Sequence, residues 1–403
     1  MSGMKNRAGK RKSPGFGTVA VHGGEEGKFA FGPVSTPIYQ TSTFTFDSAE
    51  EGGEVEKRGK DGFIYTRIGN PTVRAFEEKM ALLEGGDSCV SFSSGMAALS
   101  AVFLELLKPG DEIISSSRIY GGSKLFFAHI LQKLDCKVRR FGPYDDLKRV
   151  IPPLINERTK LIFFETPSNP ELSIIDIGLI AGLSRKHRIV SVIDNTFATP
   201  YLQRPLGMGI DCVVHSATKY IGGHGDAIGG AVVSTKNFVS AIRSNTLQHL
   251  GGCLSPFNAW LFLRGLKTLH VRMDRHCETA ASVAGFLAGH PKVGTVFFPG
   301  LRTHPGHRIA KRQMSGFGGM VSIGLENGRA CRKFINGLRL CRTGVSLGDA
   351  GTLVLHFASM FHPKLSDAAC RKIGADPTLI RISTGLEDAA DIIGDMKNAL
   401  ATL

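Results

Sequence analysis

The run HSATKYIGGHGDAIGGAVV carries the most pointed chemistry in the chain. Lys219 comes close behind Ser216 and Thr218, directly after the apolar segment DCVVH. Such a segment reads as a strand, which puts the lysine at the strand's carboxyl end, the edge where open α/β sheets bind ligands. An amine there, flanked by hydroxyls and glycines suited to phosphate, can form a Schiff base with a carbonyl compound. Read alone, Lys219 is more simply a surface lysine in a loop, and its company decides the matter.

That company begins one strand earlier, where VSVIDNTFATP ends an apolar run on Asp194. A buried carboxylate needs a cationic partner. A protonated pyridine nitrogen would supply one, and the pair would keep the ring able to accept electrons from a substrate carbanion. Capping a helix or closing a turn is the other reading of Asp194. Upstream, SFSSGMAALSAVF reads as a strand end, a Ser-Ser-Gly turn and a helix from about Met96. The amides of Gly95 and Met96 would then hold a phosphate, helped by the helix dipole, although Ser and Gly also serve as plain caps. Tyr120, in SRIYGGSKLFF, falls in the loop after the next strand. It could stack on an aromatic ring and move a proton, or it is a core tyrosine.

Two further pieces lie at the ends of the chain. Tyr65 and Arg67 in FIYTRIGNPT sit on a segment too far from their own sheet's ligand edge, so they are expected to reach a neighbouring subunit's site, where Arg67 suits a phosphate. Arg381 in LIRIST would clamp a substrate carboxylate bidentately. A structural salt bridge is the alternative for each arginine.

Positioning these residues takes a sizeable scaffold. The chain has 403 residues, enough for two or three domains. Residues 1–69 read as a basic tail and an extended arm, the stretch from Lys28 to Gly69 being rich in Gly, Thr, Ser, Pro and aromatics with little helical periodicity. From about Pro71 short apolar strands alternate with helices, which predicts right-handed crossovers and a mainly parallel sheet over 70–265. After Trp260 a long amphipathic stretch and a few β-like runs predict a smaller α+β domain over 266–403. The fold class is therefore α/β.

Composition excludes more than it specifies. With 42% hydrophobic and 21% charged residues the chain is an ordinary globular one, not a disordered one. No run of roughly 18 apolar residues exists, and the opening MSGMKNRAGKRKSPGFG has no apolar core after its basic residues, so neither a membrane span nor a signal peptide is expected. The default location is cytoplasmic. Eight cysteines without a CxxC pair read as free thiols, most of them buried, and no metal site is expected. Lys5, Arg7, Lys10, Arg11 and Lys12 account for five units of the net charge of +14. The remaining basic residues are mixed with acids, so nucleic-acid binding is not expected.

Taken in order, these pieces resemble the Cys/Met metabolism family of pyridoxal-phosphate enzymes, the trans-sulfuration enzymes. The resemblance runs from about His22 to the end and is most specific in PIYQTSTF, YTRIGNPT, SSGMAA, ETPSNP, DNTFATPYLQRPL, HSATKYIGGHGD, GLKTLHVRMDRH and SLGDAGTL. It implies a fold type I homotetramer of dimers that share active sites through the arm. Lys219 would be the cofactor lysine and Asp194 the partner of the pyridinium nitrogen. Gly95, Met96, Ser216 and Thr218 would hold the phosphate with Tyr65 and Arg67 of the adjacent subunit. Tyr120 would stack on the ring, while Arg381, Ser346 and Asn169 would meet the substrate carboxylate or a cofactor hydroxyl.

The resemblance also bears on the substrate. In members that use cystathionine, acidic side chains before the Tyr of the arm motif and before the Ser of SLG resemble receptors for a distal ammonium. Here those positions are Ile64 and Val345, which would leave an ammonium unpaired and suit an uncharged thioether. The expected activity is γ-elimination of L-methionine, as in methionine γ-lyases. Gly122, where those enzymes carry a cysteine, and Gln248 and His249, where they carry a Lys-Asp pair, point instead toward cystathionine enzymes or an O-acetylhomoserine sulfhydrylase. A noncatalytic protein on this scaffold is the remote alternative.

Overall fold

In a computed structural model of the chain, residues 14–25, 29–58, 62–372 and 375–403 are described. Lys5, Arg7, Lys10, Arg11 and Lys12 of the basic tail lie outside the described residues.

A seven-stranded sheet organises the first two thirds. Its strands are β1 (Ser88–Phe92), β2 (Glu112–Ser116), β3 (Lys137–Phe141), β4 (Thr159–Glu165), β5 (Val190–Asp194), β6 (Cys212–Ser216) and β7 (Gly230–Ser234), in the spatial order β1-β7-β6-β5-β4-β2-β3. Strands β3, β2, β4, β5 and β6 run parallel. β7 is antiparallel to both β6 and β1, so β1 again points the same way as β6. All the parallel strands thus present their carboxyl ends at one edge, and every site residue expected on this sheet closes or follows one of those ends.

The sheet is covered on both faces, which is why its central strands are apolar throughout. Val192, Val214 and Val232 pack on one face with Ala98 and Val102 of the helix Gly95–Leu106. Ile162, Ile193 and Val213 pack on the other with Ile177 and Ile180 of the helix Ile177–His187. The helix Pro71–Glu84 is set by Asn70, whose side chain accepts from the Thr72 N–H, by Pro71 in the first turn, and by Gly85 in the left-handed conformation at its end.

The smaller sheet has five strands, β8 (Thr295–Phe297), β9 (Met320–Gly324), β10 (Arg342–Thr343), β11 (Leu353–His356) and β12 (Leu379–Ser383), in the order β10-β11-β12-β9-β8. Val321, Ile323, Val354, Ile380 and Ile382 form its core together with Val283, Phe334 and Met396 from three helices. The sequence-based boundary at 265/266 falls in the last turn of the helix Pro256–Lys267.

Two local expectations change. The arm is not uniformly extended, because Ala49–Arg58 is a helix. Ser48 accepts from the Glu51 N–H and the Glu51 carboxylate accepts from the Asp47 N–H, so polar capping starts a helix that apolar periodicity does not announce. The amphipathic stretch after Trp260 is two helices, Pro256–Lys267 and Leu269–Ala288, which meet at Thr268. The eight cysteines are free, and six of them are buried. Among the described residues no helix is long and apolar enough to cross a membrane.

Candidate active site

Lys219 sits in the turn that leaves β6, its N–H bonded to the Ser216 carbonyl. Its Nζ donates to Ser346 Oγ at 3.1 Å, on the segment between β10 and β11. Burial holds the amine down to about 8, the neighbouring Arg381 charge adds to the effect, and Asp194 pulls the other way. The result is a lysine with no carboxylate bonded to it among the described residues, able to lose its proton at mildly alkaline pH.

The backbone behind Lys219 is fixed by a second arginine. Arg272 is buried, and its guanidinium donates to the carbonyls of Tyr220 at 2.7 Å, Ile221 at 3.4 Å and Gly265 at 2.7 Å. These carbonyls and the Thr268 hydroxyl, which accepts from Nε at 3.2 Å, take up the charge, and burial lowers the group to about 10.

Asp194 ends β5, where Oδ1 accepts from the Thr196 N–H at 2.9 Å. The Thr196 hydroxyl in turn accepts from the Ser216 N–H at 2.8 Å, which ties the end of β5 to the end of β6. Burial pushes the Asp194 carboxyl up, against the hydrogen bonds from Thr196. A cationic partner is therefore favoured there.

Gly95 and Met96 open the helix Gly95–Leu106, and Ser94 is its cap, accepting from the Ala97 N–H at 3.0 Å. A Cβ on Gly95 would come within 2.7 Å of the Ser216 Cβ, so glycine lets this helix start settle onto the end of β6. Thr218 lies one turn further, its hydroxyl and the Gly229 backbone bonded to each other. Free amides, two hydroxyls and a helix start thus converge, which is an anion cradle.

Arg381 on β12 is 3% exposed and reaches over from the small sheet. Nη1 donates to Asn169 Oδ1 at 3.1 Å, and Nη2 to the carbonyls of Val345 at 3.0 Å and Ser346 at 2.9 Å. Nε is buried with no hydrogen-bond partner. Burial lowers the guanidinium to about 10. Bonded among the described residues to neutral oxygens, with its Nε–H unspent, this buried cation is ready for a carboxylate.

Tyr120 caps the helix Gly121–His129 and is 48% exposed, so it is not a core tyrosine. Its backbone N–H donates to Glu165 Oε1 at 2.6 Å. Glu165 was missed by sequence reasoning, although it opens the block ETPSNP. It ends β4 in register with Asp194 across the β4–β5 ladder. Burial and the Asp194 charge push its carboxyl well above the usual range.

The arm residues join different partners. Ile64 offers its carbonyl to the Phe44 N–H, and Tyr65 bridges to Thr43. Arg67 Nη1 donates to the Gln248 carbonyl at 2.5 Å, with its guanidinium 5.5 Å from the Tyr65 ring centroid. Among the described residues the partners of Arg67 are these, and not Lys219, Asp194 or Arg381. The structure therefore gathers Lys219, Ser346, Arg381, Asn169 and Val345 directly, and Asp194, Ser216, Gly95 and Met96 around the same strand ends, while Ile64, Tyr65 and Arg67 stay on the arm.

These residues fit pyridoxal phosphate: an amine of lowered basicity for the aldehyde, a strand-end carboxylate for the ring nitrogen, and a helix start with hydroxyls for the phosphate. The comparisons agree. The model of the Cys/Met metabolism PLP-dependent enzymes matches residues 17–401. An L-methionine gamma-lyase of Fusobacterium nucleatum subsp. polymorphum is 43% identical over 392 residues, covering 96% of this chain and 98% of that one. A cystathionine gamma-synthase of Mycobacterium tuberculosis is 42% identical over 399 residues, covering 98% and 99%. The crystal structure of metB from Corynebacterium glutamicum matches with a TM-score of 0.90 and 40% identity, covering 97% of this chain and 98% of that chain. The α/β fold type I class and the pyridoxal-phosphate cofactor expected from the sequence both hold.

Proposed function

This chain belongs to the family of Cys/Met metabolism PLP-dependent enzymes, and from that premise we propose that it is a carbon–sulfur lyase that splits L-methionine by γ-elimination into 2-oxobutyrate, ammonia and methanethiol. The observation that carries this reading is Val345. Its carbonyl is bonded to Arg381 and it is 54% exposed, so a substrate whose carboxylate is held at Arg381 meets an apolar neighbour. With Ile64 at the matching arm position, a tail bearing an ammonium would find no counter-charge, at a cost that an uncharged thioether avoids. The similarity to L-methionine gamma-lyases supports the same substrate.

Bound pyridoxal phosphate supplies an aldehyde that carries the substrate amine and a pyridinium ring that withdraws electrons. Gly95, Met96, Ser216 and Thr218 would hold its phosphate, with Tyr65 and Arg67 of a neighbouring subunit, in a cytoplasmic homotetramer built from dimers. Asp194 keeps the ring nitrogen protonated. Lys219 Nζ would anchor the cofactor and, with the substrate amine in its place, would take the Cα proton, hand that proton on and, neutral again, take a Cβ proton. Tyr120 stacks on the ring and passes a proton to the departing sulfur. Arg381, Asn169 and Ser346 orient the substrate carboxylate and the ring hydroxyl. One water is consumed as methionine becomes 2-oxobutyrate, ammonia and methanethiol.

A second reading, replacement chemistry on an activated homoserine or cleavage of cystathionine, draws on Gly122. A Cβ at that position would lie 2.4 Å from Tyr120 Cε1. The Tyr120 ring thus occupies the space that the cysteine of methionine γ-lyases would need. The deciding experiment compares 2-oxobutyrate release by the cofactor-loaded enzyme from L-methionine and L-cystathionine, with O-acetylhomoserine plus sulfide scored for homocysteine. Rapid release from methionine with little from cystathionine supports the lyase. Preference for either other substrate sinks it in favour of the second reading.

A further inference from the structure

Glu165 has no part in the chemistry just described, yet it is 5% exposed at the ligand edge of the sheet. Its Oε1 takes the Tyr120 N–H at 2.6 Å. Tyr120 is the first residue before the helix Gly121–His129, and no side chain within that segment caps the helix. A Glu165 carboxyl oxygen therefore takes that place from the end of β4, where the positive end of the helix favours a polar acceptor. On its other side the Tyr120 ring lies against Gly122, close enough that a Cβ would meet Cε1 at 2.4 Å and Cζ at 3.1 Å. Tyr120 is thus fixed at two points, its amide by an oxygen on β4 and its ring by a bare backbone in its own helix.

We propose that Glu165 is a positioning residue for Tyr120, acting through the acceptor oxygen it offers to the Tyr120 N–H, with Gly122 as the clearance that lets the ring adopt the resulting position. Because β4 and β5 pair in register at Glu165 and Asp194, one rigid pair of strand ends then sets both the stacking ring and the carboxylate reserved for the pyridine nitrogen. The inference rests on the reading of Tyr120 as the ring's stacking partner, and it is independent of which sulfur amino acid is turned over.

Three holoenzyme variants test it: Glu165→Leu, which keeps the volume and removes the acceptor, Glu165→Gln, which keeps an acceptor oxygen, and Gly122→Ala, which crowds the ring. Visible circular dichroism of the bound cofactor reports the asymmetry of its stacking, and steady-state kinetics separate kcat from KM on the best substrate of the parent enzyme. Glu165→Leu is expected to change the dichroic band and lower kcat by about 10-fold to 100-fold, as misplacement on the ångström scale does, with a smaller change in KM. Glu165→Gln should recover most of the band and of kcat, and Gly122→Ala should reproduce the altered band. A Glu165→Gln enzyme as damaged as Glu165→Leu overturns the proposal, as does an unaltered band in Gly122→Ala. If Glu165→Leu yields no folded holoenzyme, the other two variants decide by the same criteria. Tyr120→Ala is the control, since an unaltered band there removes the stacking reading itself and not merely the role of Glu165.

Discussion

Arg381 and Asn169 join the two sheets: a guanidinium on β12 donates to an amide oxygen that follows β4, at 3.1 Å. The same guanidinium spends its other terminal nitrogen on two carbonyls and keeps Nε free. Replacing Arg381 by Lys keeps a cation and removes the fork. Such a variant should lose about 100-fold or more in kcat/KM for the amino-acid substrate, mostly through KM, while retaining bound cofactor. Cofactor loss in step with activity would show instead that Arg381 serves the scaffold.

The substrate assignment makes a gain-of-function forecast. Introducing Ile64→Asp together with Val345→Glu supplies two carboxylates where an ammonium-bearing tail would lie. The ratio of kcat/KM for L-cystathionine over L-methionine should rise by about 10-fold to 100-fold, the range that one or two pocket contacts command. An unchanged ratio removes these two positions from the specificity account.

Burial, with the Arg381 charge beside it, holds Lys219 down to about 8. Only the neutral amine attacks an aldehyde, so the rate of pyridoxal-phosphate uptake by the apo-protein should climb about tenfold per pH unit below 8 and level off above it. An ordinary lysine would continue to climb to above pH 10. The rise in cofactor absorbance after mixing, followed from pH 6.5 to 9.5, separates the two profiles.

Arg67 bears on the sharing of sites between subunits. Arg67→Ala should weaken cofactor retention on dialysis by about 10-fold or more, because a charge-assisted phosphate contact is removed. A mixed oligomer of Arg67→Ala and Lys219→Ala subunits should regain part of the activity that each variant lacks alone, since one site then receives both intact residues. No recovery on mixing argues that each subunit's site is its own.

Acid should unfold the protein through its buried histidines. His276 is fully buried, its Nδ1–H donated to the Thr384 carbonyl at 2.7 Å, and burial lowers it to about 4. The unfolded chain takes up this proton near 6.5 and the folded chain only near 4, so the associated stability is complete above 6.5 and declines as pH falls through that window. The loss is at most about 3 kcal/mol. His304, lowered to about 4 by burial, acts in the same direction. Urea midpoints at pH 7.5 and pH 5 should differ less in His276→Asn, whose side-chain amide can keep the bond to Thr384.

Much of this was legible in the chain itself, and the reasons differ from residue to residue. Lys219, Asp194 and Gly95 announce themselves because each follows an apolar strand in a short stretch, so spacing along the sequence is also spacing at the sheet edge. Glu165 closes a strand just as plainly, but its partner Tyr120 is 45 positions away and bonds through a backbone N–H, which no residue type reveals. The direction of β7 was equally hidden: GAVVS is a buried run whichever way it points, and only the lack of a helix between HSATK and GGAVV hints at the reversal. The helix Ala49–Arg58, with two adjacent glycines and six charged residues, is read from its caps and not from periodicity.

The bracing of the Lys219 backbone by Arg272 limits how far that lysine can act. With the carbonyls of Tyr220 and Ile221 held by a buried guanidinium, the root of the side chain is a fixed pivot and only its methylene chain can swing, a radius of roughly 6 Å from Cα at full extension by ordinary bond lengths. Every atom that gives or takes a proton at Lys219 must come within hydrogen-bond reach, about 3 Å, of that sphere. A longer substrate cannot be met by a travelling lysine, so its extra length must project outward past Val345, and the tether rather than the pocket floor sets which carbon is within reach.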